Sequence, residues 1–135
     1  MQDSPSQQPI GLILKKLDNA LTKRSDAALQ AHGLTRAKWQ ILNVIKSGAT
    51  VQEVHKAMEP FLTTEQTDVL IKELEQKGWI VGAETITLTP DGAATLDEAL
   101  ASQNTVRHAV MAGISDDDYR SAMQVLNTML TNLTE

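Results

Sequence analysis

Three groups of residues in this chain are of types that do chemistry. Asp116-Asp117-Asp118 resembles a cation-ligating cluster, and His32, His55 and His108 are conceivable zinc ligands. The third group is basic: Lys15, Lys16, Lys23, Arg24, Arg36, Lys38 and Lys46 crowd into residues 1–48, opposed there only by Asp3, Asp18 and Asp26. That segment carries +4. The remainder holds five Lys/Arg against fourteen Asp/Glu, a net of −9, so the overall −5 conceals a basic N-terminal third suited to phosphate. The other two groups have plainer readings. Three acidic residues in a first helical turn complement the helix dipole, and three histidines without close helical spacing need a tertiary coincidence to share a metal. Neither metal nor cofactor is expected. With no cysteine, disulfides, thiolate sites and thiol redox sensing are excluded. There is no nucleophile elbow, glycine-rich phosphate loop or HExxH helix, so the chain does not read as an enzyme.

The elements that must position these residues are legible from their punctuation. At 135 residues the chain fits one core, and with only four aromatics that core is built from Leu, Ile, Val, Met and Ala, which favours helix on helix. No apolar run approaches a membrane span and Met1 to Pro9 is polar, so a soluble, cytoplasmic protein is expected, with residues 1–8 a flexible tail. Pro9 precedes a helix of about 10–31 in which Ile10, Ile13, Leu14, Leu17 and Leu21 recur at helical spacing until Gly33. Thr35 caps a second helix, apolar around nearly its whole circumference and therefore buried. Thr50 with Glu53, and Thr63 with Gln66, offer capping boxes for a short third and a longer fourth helix, separated by Pro60 and stopped at Gly78.

Trp79–Val81 and Thr85–Leu88 read as two strands with Gly82-Ala83 as a two-residue turn. Thr89 and Pro90 open a fifth helix to about Met111, about 33 Å long at 1.5 Å per residue. Gly113 ends it and Ser115 caps the last. There Tyr119, Met123, Leu126, Leu130 and Leu133 form a stripe at spacings of three and four. Together with Ile10 and Leu14 it exceeds what one small lobe can cover, which predicts a homodimer.

Five segments, Ile10–Leu21, Gly33-Leu34-Thr35-Arg36-Ala37-Lys38-Trp39, Leu70–Trp79, Leu88-Thr89-Pro90-Asp91-Gly92 and Gly113–Leu133, give the chain a resemblance to the MarR (multiple-antibiotic-resistance regulator) family over nearly all of residues 9–135. The resemblance implies a mainly α winged helix-turn-helix. Its lobe is 35–89, its wing is short and two-stranded, and its dimerisation helices lie in 9–33 and 90–135. It implies a dimeric DNA-binding transcription regulator, with the fourth helix in the major groove. A small aromatic ligand is expected between the dimer helices and the lobe, where Leu17, Trp39 and Leu42 would form walls.

Two departures stand at the DNA-facing surface. From Thr63 to Lys77 the fourth helix has Glu65, Asp68, Glu73 and Glu75 against Lys72 and Lys77, and the family's threonine and arginine before the buried leucine fall on Asp68 and Val69. The wing shrinks to Gly82-Ala83. DNA contacts then rest on Thr64, Gln66, Thr67 and Lys72, with Arg36, Lys38 and Lys56 as further cations. The acidic helix admits a second reading, a related dimer that has lost operator binding and serves as a protein-interaction or ligand-binding module.

Overall fold

The computed structural model describes residues 8–134. Of the expected N-terminal tail, 1–7 lies outside the described residues. Helix α1 is Ile10–Leu29, continued by a 3-10 turn at Gln30–His32, and α2 is Arg36–Ile45, with the Thr35 hydroxyl accepting from the Lys38 amide. Strand β1 (Ala49–Thr50) leads into α3 (Val51–Met58), a turn through Pro60, and α4 (Thr64–Gln76). Both expected capping boxes form, Thr50 with Glu53 and Thr63 with Gln66, each joining two otherwise orphaned amides to side-chain oxygens. Strands β2 (Ile80–Val81) and β3 (Thr85–Leu88) follow, then α5 (Pro90–Met111) and α6 (Asp116–Thr134), whose Ser115 cap accepts from the Asp118 amide.

The small sheet differs from the expected two-stranded wing. It has three antiparallel strands in the order β1-β3-β2, with Ala49 opposite Ile86 and Val81 opposite Thr87. Trp79 lies in the turn that closes α4 and not in a strand. Its amide donates to the Leu74 carbonyl (3.1 Å) while that of Gly78, at φ 78°, donates to Glu75 (2.9 Å), the paired bonds that close a helix on a left-handed residue. Three residues, not two, separate β2 from β3. Gly82 sits at φ 124° with the Thr85 carbonyl where a Cβ would stand, so only glycine allows the chain to turn there.

One core joins Leu29 and Leu34, Ile41, Leu42 and Ile45 of α2, Val54 and Met58 of α3, Ile71 and Leu74 of α4, Ile80 and Ile86 of the sheet, and Ala99 of α5. α2 crosses its middle but is not buried all round: Asn43 is exposed, and Trp39 and Val44 are half-buried. Helix α5 buries only Gly92, Ala99 and Val106, seven residues apart, a narrow stripe on one face. Helix α6 buries nothing, and the first half of α1 is likewise exposed. Among the described residues no helix is long and apolar enough to cross a membrane, and no cluster of three His, Asp or Glu is placed to hold a metal ion.

Candidate nucleic-acid interface and ligand cavity

Helices α3 and α4 and the turn between them form a helix-turn-helix whose inner faces are apolar and whose outer face is wet. Val54 and Met58 hold α3 to the core; Ile71 and Leu74 do the same for α4. On the outer side lies an open groove of about 710 Å³ flanked by Gln52, His55, Lys56, Phe61 and Thr64. Across it His55 Nε2 meets Asp68 Oδ1 at 2.6 Å, tying α3 to α4.

Of the expected DNA contacts, Lys56, Thr64, Gln66 and Lys72 lie on this exposed side. Gln66 is partly committed, because its side-chain oxygen accepts from the Thr63 amide. Thr67 must be corrected. It is 1% exposed, and its hydroxyl has no hydrogen-bond partner, so it faces the core with Leu70, Ile71 and Leu74 and cannot touch DNA.

Arg36 and Lys38 come together with other groups. The Arg36 guanidinium, its side chain 18% exposed, donates to Asp18 Oδ1 (2.8 Å) and Thr22 Oγ1 (2.7 Å) on α1 and stands 5.9 Å from the centre of the Phe61 ring. Its amide donates to Asp26 Oδ1 at 2.7 Å. One residue therefore joins α1, the start of α2 and the turn before α4. Lys38 pairs with Glu73 of α4 at 3.1 Å. Arg36 thus serves the seam between the first helix and the lobe, Lys38 ties α2 to α4 within the lobe, and the charge of both is largely spent there.

A second cavity, about 510 Å³, opens where α1, α2, α5 and α6 meet, and Leu17 and Trp39 wall it as expected. Leu42 does not; it is fully buried in the core, one turn of α2 from the cavity wall. Tyr119 and Met123, expected only in the dimer stripe, line this cavity from α6. Sequence reading missed the polar residues Gln103, Asn104 and Arg107 of α5. Their signal was present, since Leu100, Gln103, Asn104, Arg107, Val110 and Met111 share one helical face. The indole Nε1 of Trp39 is buried without a partner, a donor that water does not reach.

Ile10, Leu14, Leu126, Leu130 and Leu133 meet around a third hollow, about 520 Å³ and almost wholly apolar, at the outer ends of α1 and α6. These side chains are half-buried to nearly fully exposed, Leu133 at 86%. Among the described residues of one chain, nothing buries them.

No protein-family model matches the chain, and no curated protein sequence does. Solved structures do. A MarR-family transcriptional regulator from Rhodococcus sp. RHA1 superposes with a TM-score of 0.81 at 22% identity, over 95% of this chain and 96% of that one. One from Silicibacter pomeroyi gives 0.79 at 21% identity, over 98% and 100%. A Mycobacterium tuberculosis MarR-family protein in complex with DNA gives 0.73 at 23%, over 91% and 98%, and its complex with salicylic acid gives 0.70 at 22%, over 90% and 98%. The chain thus has the fold of MarR-family transcriptional regulators over nearly its whole length.

Proposed function

We propose that this chain is a homodimeric DNA-binding transcription regulator of the MarR type, acting in the cytoplasm and answering to a small aromatic ligand. The observation that carries the reading is a helix-turn-helix with a free outer face, joined by Arg36 to a helix that also walls an apolar cavity. In a two-fold dimer built on Ile10, Leu14, Leu126, Leu130 and Leu133, two copies of α4 meet successive major grooves, while Thr64, Gln66, Lys56 and Lys72 supply donors and cations. The DNA and salicylate complexes of the M. tuberculosis relative support both partners.

Ligand entry acts on the same elements that hold α4. A cavity of about 510 Å³ falls within the roughly 300–1,000 Å³ of small-molecule sites. Its walls suit an aromatic body, and Arg107, Gln103 and Asn104 suit an anionic or carbonyl substituent. Leu17 and Leu21, which face the cavity, neighbour Asp18 and Thr22, which hold Arg36, so a ligand that spreads α1 from α2 strains the link to the turn before α4. The action is allosteric binding, with no bond made or broken in the ligand.

Fluorescence anisotropy on duplexes from the DNA upstream of its own coding sequence, at two salt concentrations and with or without salicylate, tests the reading. Saturable binding that weakens with salt and with salicylate is expected. Absence of binding to any duplex at low salt defeats it.

A further inference from the structure

The outer face of α4 carries a combination that makes poor electrostatic glue but a sharp base discriminator. Glu65, Val69, Lys72 and Gln76 are all exposed and spaced i, i+4, i+7 and i+11, so they form one stripe along the helix. Most other polar residues of its first two turns are engaged elsewhere. Gln66 commits its side-chain oxygen to the cap, Thr67 is buried, and Asp68 is held by His55, while Thr64 stands exposed at the first position of the helix. Next to Thr64 near the N-terminus, where a recognition helix meets base edges, stands a free carboxylate followed one turn later by an apolar β-branched side chain that is 56% exposed.

Resting on the DNA-binding reading above, we propose that α4 selects a pyrimidine-rich half-site, Glu65 accepting from the exocyclic amino group of a cytosine and Val69 touching the methyl group of a neighbouring thymine. A carboxylate has acceptors only. In the major groove it is repelled by guanine O6 and N7 and by thymine O4, and adenine places N7 beside its single donor; cytosine offers a donor with no adjacent acceptor on its own edge. Val69 has no polar atom to spend on a base, and thymine alone presents a methyl group there. The two side chains are separated by about 6 Å of helix rise, under two base steps of about 3.4 Å, so both bases fit in one half-site. Lys72, three residues beyond Val69, places a cation on the same stripe, where it offsets the carboxylate as the helix approaches phosphate.

The test is selection by the full chain from a random duplex library, followed by affinity measurements on the enriched sequence. Enriched half-sites should hold a cytosine and a thymine within two steps of each other. Replacing that thymine by deoxyuridine, which removes only the methyl, should weaken binding about fourfold for the unmodified protein and not at all for Val69→Ala. Exchanging the cytosine pair for a thymine pair should cost about tenfold, narrowing to under about threefold in Glu65→Gln, whose amide also accepts adenine. Both residues lie on the surface, and unchanged melting temperatures confirm that the variants fold. Enrichment of a sequence indifferent to deoxyuridine and to both variants overturns the proposal while leaving the regulator reading intact. Enrichment of nothing overturns both, and leaves the stripe to a basic protein surface.

Discussion

The lobe and the arms of this molecule are built to different rules. In the lobe, α2, α3, α4 and the sheet bring Ile41, Leu42, Ile45, Val54, Met58, Leu74 and Ile86 to 1% exposure or less within a single chain. In the arms, α6 buries no residue in its 19, and Ile10, Leu12, Leu14 and Leu17 of α1 stand in the open. Apolar side chains at helical spacing thus have two fates, one satisfied within the chain and one left open, which the proposed dimer would cover. The proposed ligand response belongs to the seam, since the cavity and the Arg36 junction both lie where arms meet lobe.

The comparison breaks most visibly if an arm is charged. Leu126, the only half-buried residue of α6, borders the apolar hollow, and in a two-fold dimer Leu126→Asp places a charge in that hollow twice. A buried unpaired carboxylate costs several kcal/mol or forces the interface apart. Sedimentation should show a dimer for the unmodified protein and a monomer or unfolded chain for the variant. If the Leu126→Asp variant sediments as an intact dimer, this face is not the interface.

Within the lobe, Leu42→Ala should cost about 2–5 kcal/mol in chemical unfolding, as for other fully buried leucines replaced by alanine. It should do so without altering the midpoint's dependence on protein concentration beyond that of the dimer itself. At the seam, Arg36→Ala should be milder in stability, about 1–2 kcal/mol, because Asp18 is half in water. Its larger signature should be functional: DNA affinity that no longer responds to salicylate, while salicylate still quenches Trp39. Retained response would show that the signal crosses from α1 to α4 by another route.

Helix boundaries were readable because each is written by a few residues in direct contact, such as Thr63 with Gln66 or Thr35 with the Lys38 amide. β1 was not, because two residues show no alternation and their partner, β3, lies 35 positions away at Thr50 and Thr85. Thr67 is more instructive. Its spacing from Leu70, Ile71 and Leu74 marks it as inward-facing, yet its hydroxyl suggested a groove contact; period outweighs residue type on an amphipathic helix. Leu42 and Leu17 both read as apolar pocket walls, and only the packing of α2 separates core from cavity. The basic first third pointed to phosphate, but Arg36 and Lys38 turn their charge on Asp18 and Glu73, a pairing between distant elements that composition does not show.

That redistribution of charge fixes the smallest expected effect. With Arg36 paired to Asp18 and Lys38 to Glu73, the exposed lysines of α3 and α4 are Lys56 and Lys72, with Lys77 just past the end of α4, so a dimer neutralises few phosphates. Log affinity falls by about 0.9 per neutralised phosphate for each decade of salt. Lys72→Ala, removing one cation from each protomer, should therefore flatten the slope by about 1.8 and weaken binding nearly equally on all sequences. Neutralising the acids in Glu65→Gln with Asp68→Asn should act oppositely, raising non-specific affinity at low salt because fewer carboxylates face the DNA backbone. A slope unmoved by Lys72→Ala would place the phosphate contacts off this face, on the exposed Lys15, Lys16, Lys23 and Arg24 of α1, and would transfer DNA binding from the lobe to the arms.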